Sequence, residues 1–264
     1  MSATAALLPG GLPGPDGALR REIAFRALDG RVEAAMRVAQ EAGSRPAAIS
    51  ALLGAALQTP SGGAEAARAL SVGDRQWLLA QLAVHLGQAH VWITGTCAAC
   101  EAAFDAPLDL AALPVKPAGE GYPERTVEAP ENLIRVRAPT GADQEAIAGL
   151  PEAEAVAVLL ARCVDGANTR TLSPDTLERI DAALAEISPE AAAEVETTCP
   201  SCGAACRAGF DLADVVFAHL GDPFEDVHVI ASAYHWSEGD ILALPAARRR
   251  RYLHLIDQAR GVTD

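Results

Sequence analysis

The sequence predicts an α+β protein, mostly helical, built from two tandem pseudo-equivalent repeats that each end in a zinc-ribbon-like C-x-x-C hairpin, with a C-terminal helical tail. Three observations predict it. First, two C-x-x-C pairs, Cys97/Cys100 and Cys199/Cys202, stand at matched places in the two halves of the chain. Second, one constant shift lays Ser71–Leu113 on Ser173–Val215 without a gap, placing Thr96 on Thr198, Asp109 on Asp211, Leu110 on Leu212 and Leu82 on Leu184. Third, at a different shift, "IAFRALDG" (Ile23–Gly30) lies over "IRVRAPTG" (Ile134–Gly141), and Ile49–Ala55 over Val156–Arg162. The order of segments is the same in both halves, which is the mark of a tandem duplication; two copies are too few for an extended solenoid. The expected division is an extended N-terminal tail (1–19), a first repeat (20–113), a linker (114–130), a second repeat (131–216) and a C-terminal helical tail (217–264).

Each repeat opens with an alternating strand, Ile23, Phe25 and Ala27 in the first and Ile134, Val136 and Ala138 in the second. Asp29 and Thr140 then precede a Gly and a helical run, and Thr140 with Asp143 has the form of a capping box. The next helix carries Ile49, Leu52, Leu53 and Ala56, matched by Val156, Leu159, Leu160 and Cys163, a spacing that buries one face. A third helix starts near Ser71 or Ser173 and presents Leu78 and Leu82, or Leu177, Ile180, Leu184 and Ile187. A short strand, the C-x-x-C turn, a second strand and a helix capped by Asp109 or Asp211 complete the repeat. Between the halves, "PVKPAGEGYPERTVEAPEN" is rich in Pro, Gly and charge and reads as a linker. "LPGGLPGPDG" near the start reads as a similarly extended, mobile segment. In the tail, Ser237 is expected to cap one short helix and Pro245 to sit near the start of another.

A chain of 264 residues, half of them apolar, suffices for one large core or two modest ones. Its net charge of −14 argues against binding a phosphate backbone, which calls for a basic face. No stretch approaches the roughly 20 apolar residues of a membrane span, and the opening "MSATAALLPGG" lacks the pattern of a signal peptide. The expected location is therefore cytoplasmic. There, six cysteines point to metal binding or burial rather than to a disulfide framework.

A C-x-x-C turn between two strands aims both sulfurs to one side. Two such hairpins can therefore face each other across one zinc with Zn–S bonds of about 2.3 Å. The other readings are that one or both pairs are buried thiols, or that one is a thioredoxin-like redox motif, which opens a helix after a strand and occurs once. The zinc reading assigns Cys97, Cys100, Cys199 and Cys202 to one structural zinc per chain, with no open coordination position for water. Cys206 follows Cys202 and could complete a three-cysteine cluster, replacing or supplementing a zinc ligand; its alignment with Phe104 reads instead as burial, and Cys163, aligned with Ala56, reads as a packing residue. His85, matching Ile187, reads as a helix edge. There is no Gly-rich phosphate loop, nucleophile elbow or H-E-x-x-H, so no enzyme and no small-molecule substrate are expected.

The run Arg248, Arg249, Arg250, Arg251 is the one concentrated basic feature. It reads either as a solvated helix face opposite Tyr252, Leu255, Ile256 and Ala259, or as a docking patch for an acidic partner. Trp236, just before Ser237, is expected to pack on Ile241 and is the fifth candidate partner-binding residue.

The order "SVGDRQWLLAQL", "CAAC…FDAPLDLAAL", "VRAPTGADQEAI", "LLARCV", "CPSCGAACRAGFDLADVV" and "YHWSEGDILALPAARRRRYLHLI" resembles the T-even phage type baseplate proteins, hub subunits and hub assembly chaperones with relatives in phage-like contractile injection systems of bacteria. The resemblance covers nearly the whole chain past the N-terminal tail; the paired C-x-x-C turns and the Trp-containing tail are its most specific parts. It implies a non-enzymatic component or assembly factor of a contractile tail, acting on baseplate hub or other tail proteins, in the cytoplasm or within the particle. A zinc-ribbon adaptor for nucleic acid or protein, and a metal-dependent enzyme, are the competing classes.

Overall fold

The computed structural model describes residues 5–14, 16–59, 63–130, 133–167, 169 and 172–261. Parts of the expected N-terminal tail (1–4 and 15), the expected start of the second repeat (131–132) and the chain end (262–264) lie outside them. In chain order the elements are β1 (Ala5–Pro13), β2 (Leu19–Phe25), α1 (Gly30–Val38), a 3-10 turn (Ala39–Glu41), α2 (Arg45–Ala56), β3 (Leu57–Gln58), α3 (Gly63–Ala69), α4 (Val72–His85), β4 (His90–Thr96) and β5 (Ala103–Asp109). They continue with β6 (Val115–Lys116), β7 (Glu124–Glu128), β8 (Leu133–Arg137), α5 (Gly141–Ile147), α6 (Glu152–Cys163), β9 (Val164–Asp165), α7 (Pro174–Ile187), β10 (Glu190–Ala191), β11 (Glu194–Thr198) and β12 (Ala205–Gly209). The chain closes with α8 (Leu212–Ala218), α9 (Pro223–Tyr234), α10 (Glu238–Leu242) and α11 (Ala246–Ala259). The class is α+β, with small antiparallel sheets ordered β1-β2-β3, β4-β5, β6-β10, β7-β8-β9 and β11-β12. None of the described helices is long and apolar enough to cross a membrane.

Local chemistry sets the helix starts. Asp29 accepts the backbone N–H groups of Arg31 and Val32, and Ser71, Ser173 and Ser237 each accept the N–H three residues on. At α5, the Asp143 carboxylate takes both the N–H and the hydroxyl of Thr140, each at 2.8 Å. Pro245 stands at the N-cap of α11. On α2, Ile49, Leu52, Leu53 and Ala56 are all buried.

The main core draws on both halves of the chain. It joins β1, β2, α2 and α4 to the hairpins β4-β5 and β11-β12 and to α8. Smaller clusters sit under β7-β8-β9 (Ile134, Val136, Val164, Ile180) and in the tail (Ile230, Ile241, Ile256). Where the halves meet, Ser71 bridges Thr140, the Val72 N–H donates to the Pro139 carbonyl, and the Gly141 N–H donates to the Leu70 carbonyl.

Two adjacent buried charges on α4 organise this junction. Asp74 accepts the N–H groups of Gly10 (2.7 Å) and Gly11 (3.2 Å), the Ser71 hydroxyl (2.7 Å) and the Tyr122 hydroxyl (3.2 Å). Arg75 donates to the Ser50 hydroxyl and the Ala67 carbonyl at 2.8 Å and to the Pro46 carbonyl at 2.9 Å. Burial lowers its guanidinium to about 10 despite the nearby Glu145 carboxylate. A Cβ on Gly141 would lie 1.9 Å from that guanidinium, so the close approach of α5 requires glycine there.

Several expectations are corrected. The segment expected to be mobile forms β1, paired with β2 and held by Asp74, with Leu8 fully buried. The stretch expected as a linker carries β6 and β7, and Tyr122 within it bonds to the Gly11 carbonyl. Ala27 falls outside β2 and is exposed. Asp109 ends β5, and a turn rather than a helix follows; its carboxylate accepts the Ala111 N–H. On α6 only Cys163 is buried, and Val156 is 52% exposed. The physical reason is cover: α2 packs against α1, α3, α4 and α5, whereas α6 has α5 and β9. On α11, Leu255 and Ala259 are exposed, and the face turned inward carries Arg249 and Ile256.

Asp143 supports a pH prediction. Burial alone would raise its carboxyl, but Arg137 (2.6 Å), the Thr140 N–H and Arg162 (2.7 Å) outweigh burial and hold it well below the usual carboxylate range. A depressed folded-state pKa contributes stability that is present above the unfolded value of about 4 and lost as pH falls below it. Asp143→Asn should therefore unfold more easily at pH 7, by about 2 kcal/mol in urea titrations. The gap from wild type should narrow progressively as pH falls below about 4 toward the depressed folded-state value; an undiminished gap at low pH would contradict this ion-pair account.

Candidate metal centre

The two C-x-x-C segments are the turns of β4-β5 and β11-β12, and both follow one hydrogen-bond scheme. Thr96 pairs with Ala103 as the last rung of the first hairpin, and Thr198 with Ala205 as the last of the second. Beyond that rung the Cys97 N–H donates to the Ala102 carbonyl (3.0 Å) and the Glu101 N–H to the Cys97 carbonyl (2.9 Å). The matching bonds in the other turn are Cys199 to Ala204 (2.8 Å) and Gly203 to Cys199 (2.9 Å). Both turns need a residue in the left-handed region: Glu101 has φ 58° and Gly203 φ 76°. The hairpins pack through β4 and β12, where a Cβ on Gly95 would lie 3.1 Å from the Ala208 Cβ.

This packing brings the sulfurs of Cys97, Cys100, Cys199 and Cys202 within 4.8 Å of one another. The Cys97 and Cys202 sulfurs are 3.7 Å apart, as are those of Cys100 and Cys199. Bonds of about 2.3 Å to a tetrahedral zinc would separate the ligand sulfurs by about 3.8 Å, close to these two edges. Each 3.7 Å edge spans the two hairpins. Cys97 and Cys199 are buried, and Cys100 and Cys202 face solvent.

Backbone dipoles prepare the inner sulfurs for ionisation. The N–H groups of Ala99 and Cys100 hold Cys97 down to about 6, and those of Cys202 and Ser201 lower Cys199. At Cys100 the Ala102 N–H acts the same way, but the Cys202 thiol, burial and the neighbouring sulfurs push it up to about 12. Sulfurs this close cannot all ionise unaided, and a divalent cation at their centre supplies the compensating charge. The donor set, its spacing and its N–H support fit a four-thiolate metal site.

Of the other cysteines, Cys163 stands apart from this set, whereas the Cys206 thiol lies against it, where burial and the neighbouring Cys97 sulfur push it up to about 11. Cys206 is buried in β12 and paired with Thr197, at the rung where Phe104 sits in the first hairpin. Cys163 is buried at the end of α6, and burial pushes its thiol to about 11. His85 ends α4 and stacks on Phe25, with 5.4 Å between ring centroids.

The tail residues read as candidate partner contacts divide. Arg249 is 1% exposed, donating to Asp226 (2.8 Å), to the Leu244 carbonyl (2.6 Å) and to Glu33. It anchors α11 to α9 and α1 and is a structural residue, which corrects its place in the docking set. Arg248, Arg250 and Arg251 are exposed. Trp236, expected to lean on Ile241, stacks on Tyr234 at 5.3 Å between ring centroids and meets Tyr252 edge to face at 4.9 Å. Ile241 is buried with Ile230 and Ile256.

Comparison with protein families, with curated proteins and with solved structures finds no match to this chain.

The asymmetry between the turns yields a test. Glu101 bears the cost of a left-handed backbone that Gly203 escapes. Glu101→Gly should stabilise the protein by about 1 kcal/mol and Gly203→Ala destabilise it by about as much in chemical denaturation, both with unchanged metal content. Opposite signs would mean that the turns do not share this geometry.

Proposed function

We propose that this chain is a non-enzymatic, zinc-stapled structural or assembly protein of a contractile phage-like tail, acting on or within the baseplate hub. The observation that carries the staple is the convergence of Cys97, Cys100, Cys199 and Cys202 from two hairpins, with all four sulfurs within 4.8 Å of one another and two cross-hairpin pairs at 3.7 Å. A zinc there has four thiolates and no open position for water, which is the coordination of a structural site. The contractile-tail assignment rests on the sequence resemblance. The net charge of −14 favours protein partners over nucleic acid.

A tandem duplication accounts for the matched halves. In each, a strand (β2 or β8) pairs with a two-residue strand (β3 or β9) that directly follows a helix (α2 or α6). A Ser-capped helix (α4 or α7) leads on to the hairpin with the zinc-ribbon-like turn. On this reading the metal joins the two descendants of one ancestral hairpin.

Protein purified under reducing, zinc-replete conditions should carry one zinc per chain by elemental analysis. Cys97→Ser and Cys199→Ser should lower metal content and melting temperature to similar extents, and Cys163→Ala should retain the metal. Two zincs, or none, would overturn the staple. Tagged protein should also co-purify with the hub, sheath or tube proteins encoded beside its gene. One zinc without such association would leave the staple standing, overturn the tail assignment and favour an adaptor unrelated to tails.

A further inference from the structure

We infer that the outer face of the C-terminal helical tail is a preformed docking site for an acidic protein segment bearing apolar side chains. Arg248, Arg251, Tyr252 and Leu255 fall at i, i+3, i+4 and i+7 on α11 and so share one face. Tyr252 joins this face to Tyr234 and Trp236, and the three rings pack together with centroids 4.9 to 5.6 Å apart. Tyr234 is 38%, Trp236 37% and Leu255 37% exposed, and Arg248 and Arg251 are exposed beside them. Trp, Tyr and Arg are the side chains most often found to dominate binding interfaces.

Charge identifies the occupant. The protein carries −14 overall, yet among the described residues neither Arg248 nor Arg251 makes an ion pair. Asp226 and Glu33, the carboxylates that pair with the run, are both taken by Arg249. Two unneutralised guanidinium groups flanking an aromatic cluster complement carboxylates alternating with apolar side chains. The exposed Leu255 and ring cluster call for apolar side chains between the carboxylates, which a phosphate polymer does not carry. Arg249 also fixes α11 in place, so little ordering cost attends binding. This inference does not depend on whether the partner belongs to a contractile tail.

The test uses the full-length zinc-loaded protein and a fluorescein-labelled amphipathic peptide of about 20 residues, glutamates on one face and leucines on the other. Anisotropy should show micromolar binding that weakens as salt rises from about 50 to 300 mM. Arg248→Gln/Arg251→Gln and Trp236→Ala should each weaken it about tenfold or more. Arg250→Gln, on the opposite side of α11 beside His254 and Asp257, should change it by less than about twofold. Circular dichroism should be the same for all variants. No micromolar binding, equal binding by the Arg248→Gln/Arg251→Gln variant, or tighter binding of oligothymidylate than of the peptide would each overturn the proposal. So would sedimentation showing a dimer of the protein alone that this double variant abolishes, since the face would then belong to a second copy.

Discussion

The fold depends on the burial of two neighbouring charges, Asp74 and Arg75, on α4. A charge removed from water must find partners, and each of these finds them far along the chain. Asp74 fixes the start of the chain through Gly10 and Gly11 and, through Tyr122, the stretch between the halves. Arg75 reaches α2 and α3, and it leaves α5 room to approach only because residue 141 lacks a side chain. The Cβ that Gly73 lacks would lie 1.9 Å from the Pro189 carbonyl oxygen, so the start of α4 is held close against the segment after α7 as well.

The four-cysteine cluster sits on this frame without providing it. The hairpins share the main core, packed through Phe104, Ala106, Cys206 and Ala208. Strand pairing and core packing place the cysteine pairs, and backbone N–H groups then favour the thiolate at the inner sulfur of each. A bound cation would lock an arrangement that packing has already selected. The tail is tied down by other means, a buried arginine between two carboxylates, so the molecule uses charge burial at both ends and sulfur chemistry in the middle.

What the sequence made legible was local. Ser71, Ser173, Asp29, Thr140 and Ser237 are caps because capping involves residues three or four apart, and cysteine spacing announces a knuckle for the same reason. Partners distant in sequence were illegible. Nothing near Arg249 indicates that Glu33, 216 residues away, will bury it, and nothing in "LPGG" indicates that Asp74 will pin it as a strand. The apolar pattern of α6 matches that of α2, yet it stays half-exposed because periodicity states which face is apolar and not what will cover it. Within the candidate site, Gly203 signals the left-handed turn residue, whereas Glu101 in the same role gives no such signal.

The division of the four sulfurs between the halves has a consequence for biosynthesis. Cys202 lies 105 residues after Cys97, so at ribosomal rates of about 5–20 residues per second the first hairpin emerges roughly 5 to 20 s before its counterpart. Through that interval the nascent chain offers two thiols without their counterparts to whatever metal or oxidant the cell contains. Strand β4, which later packs against β12, also has no neighbour on that side.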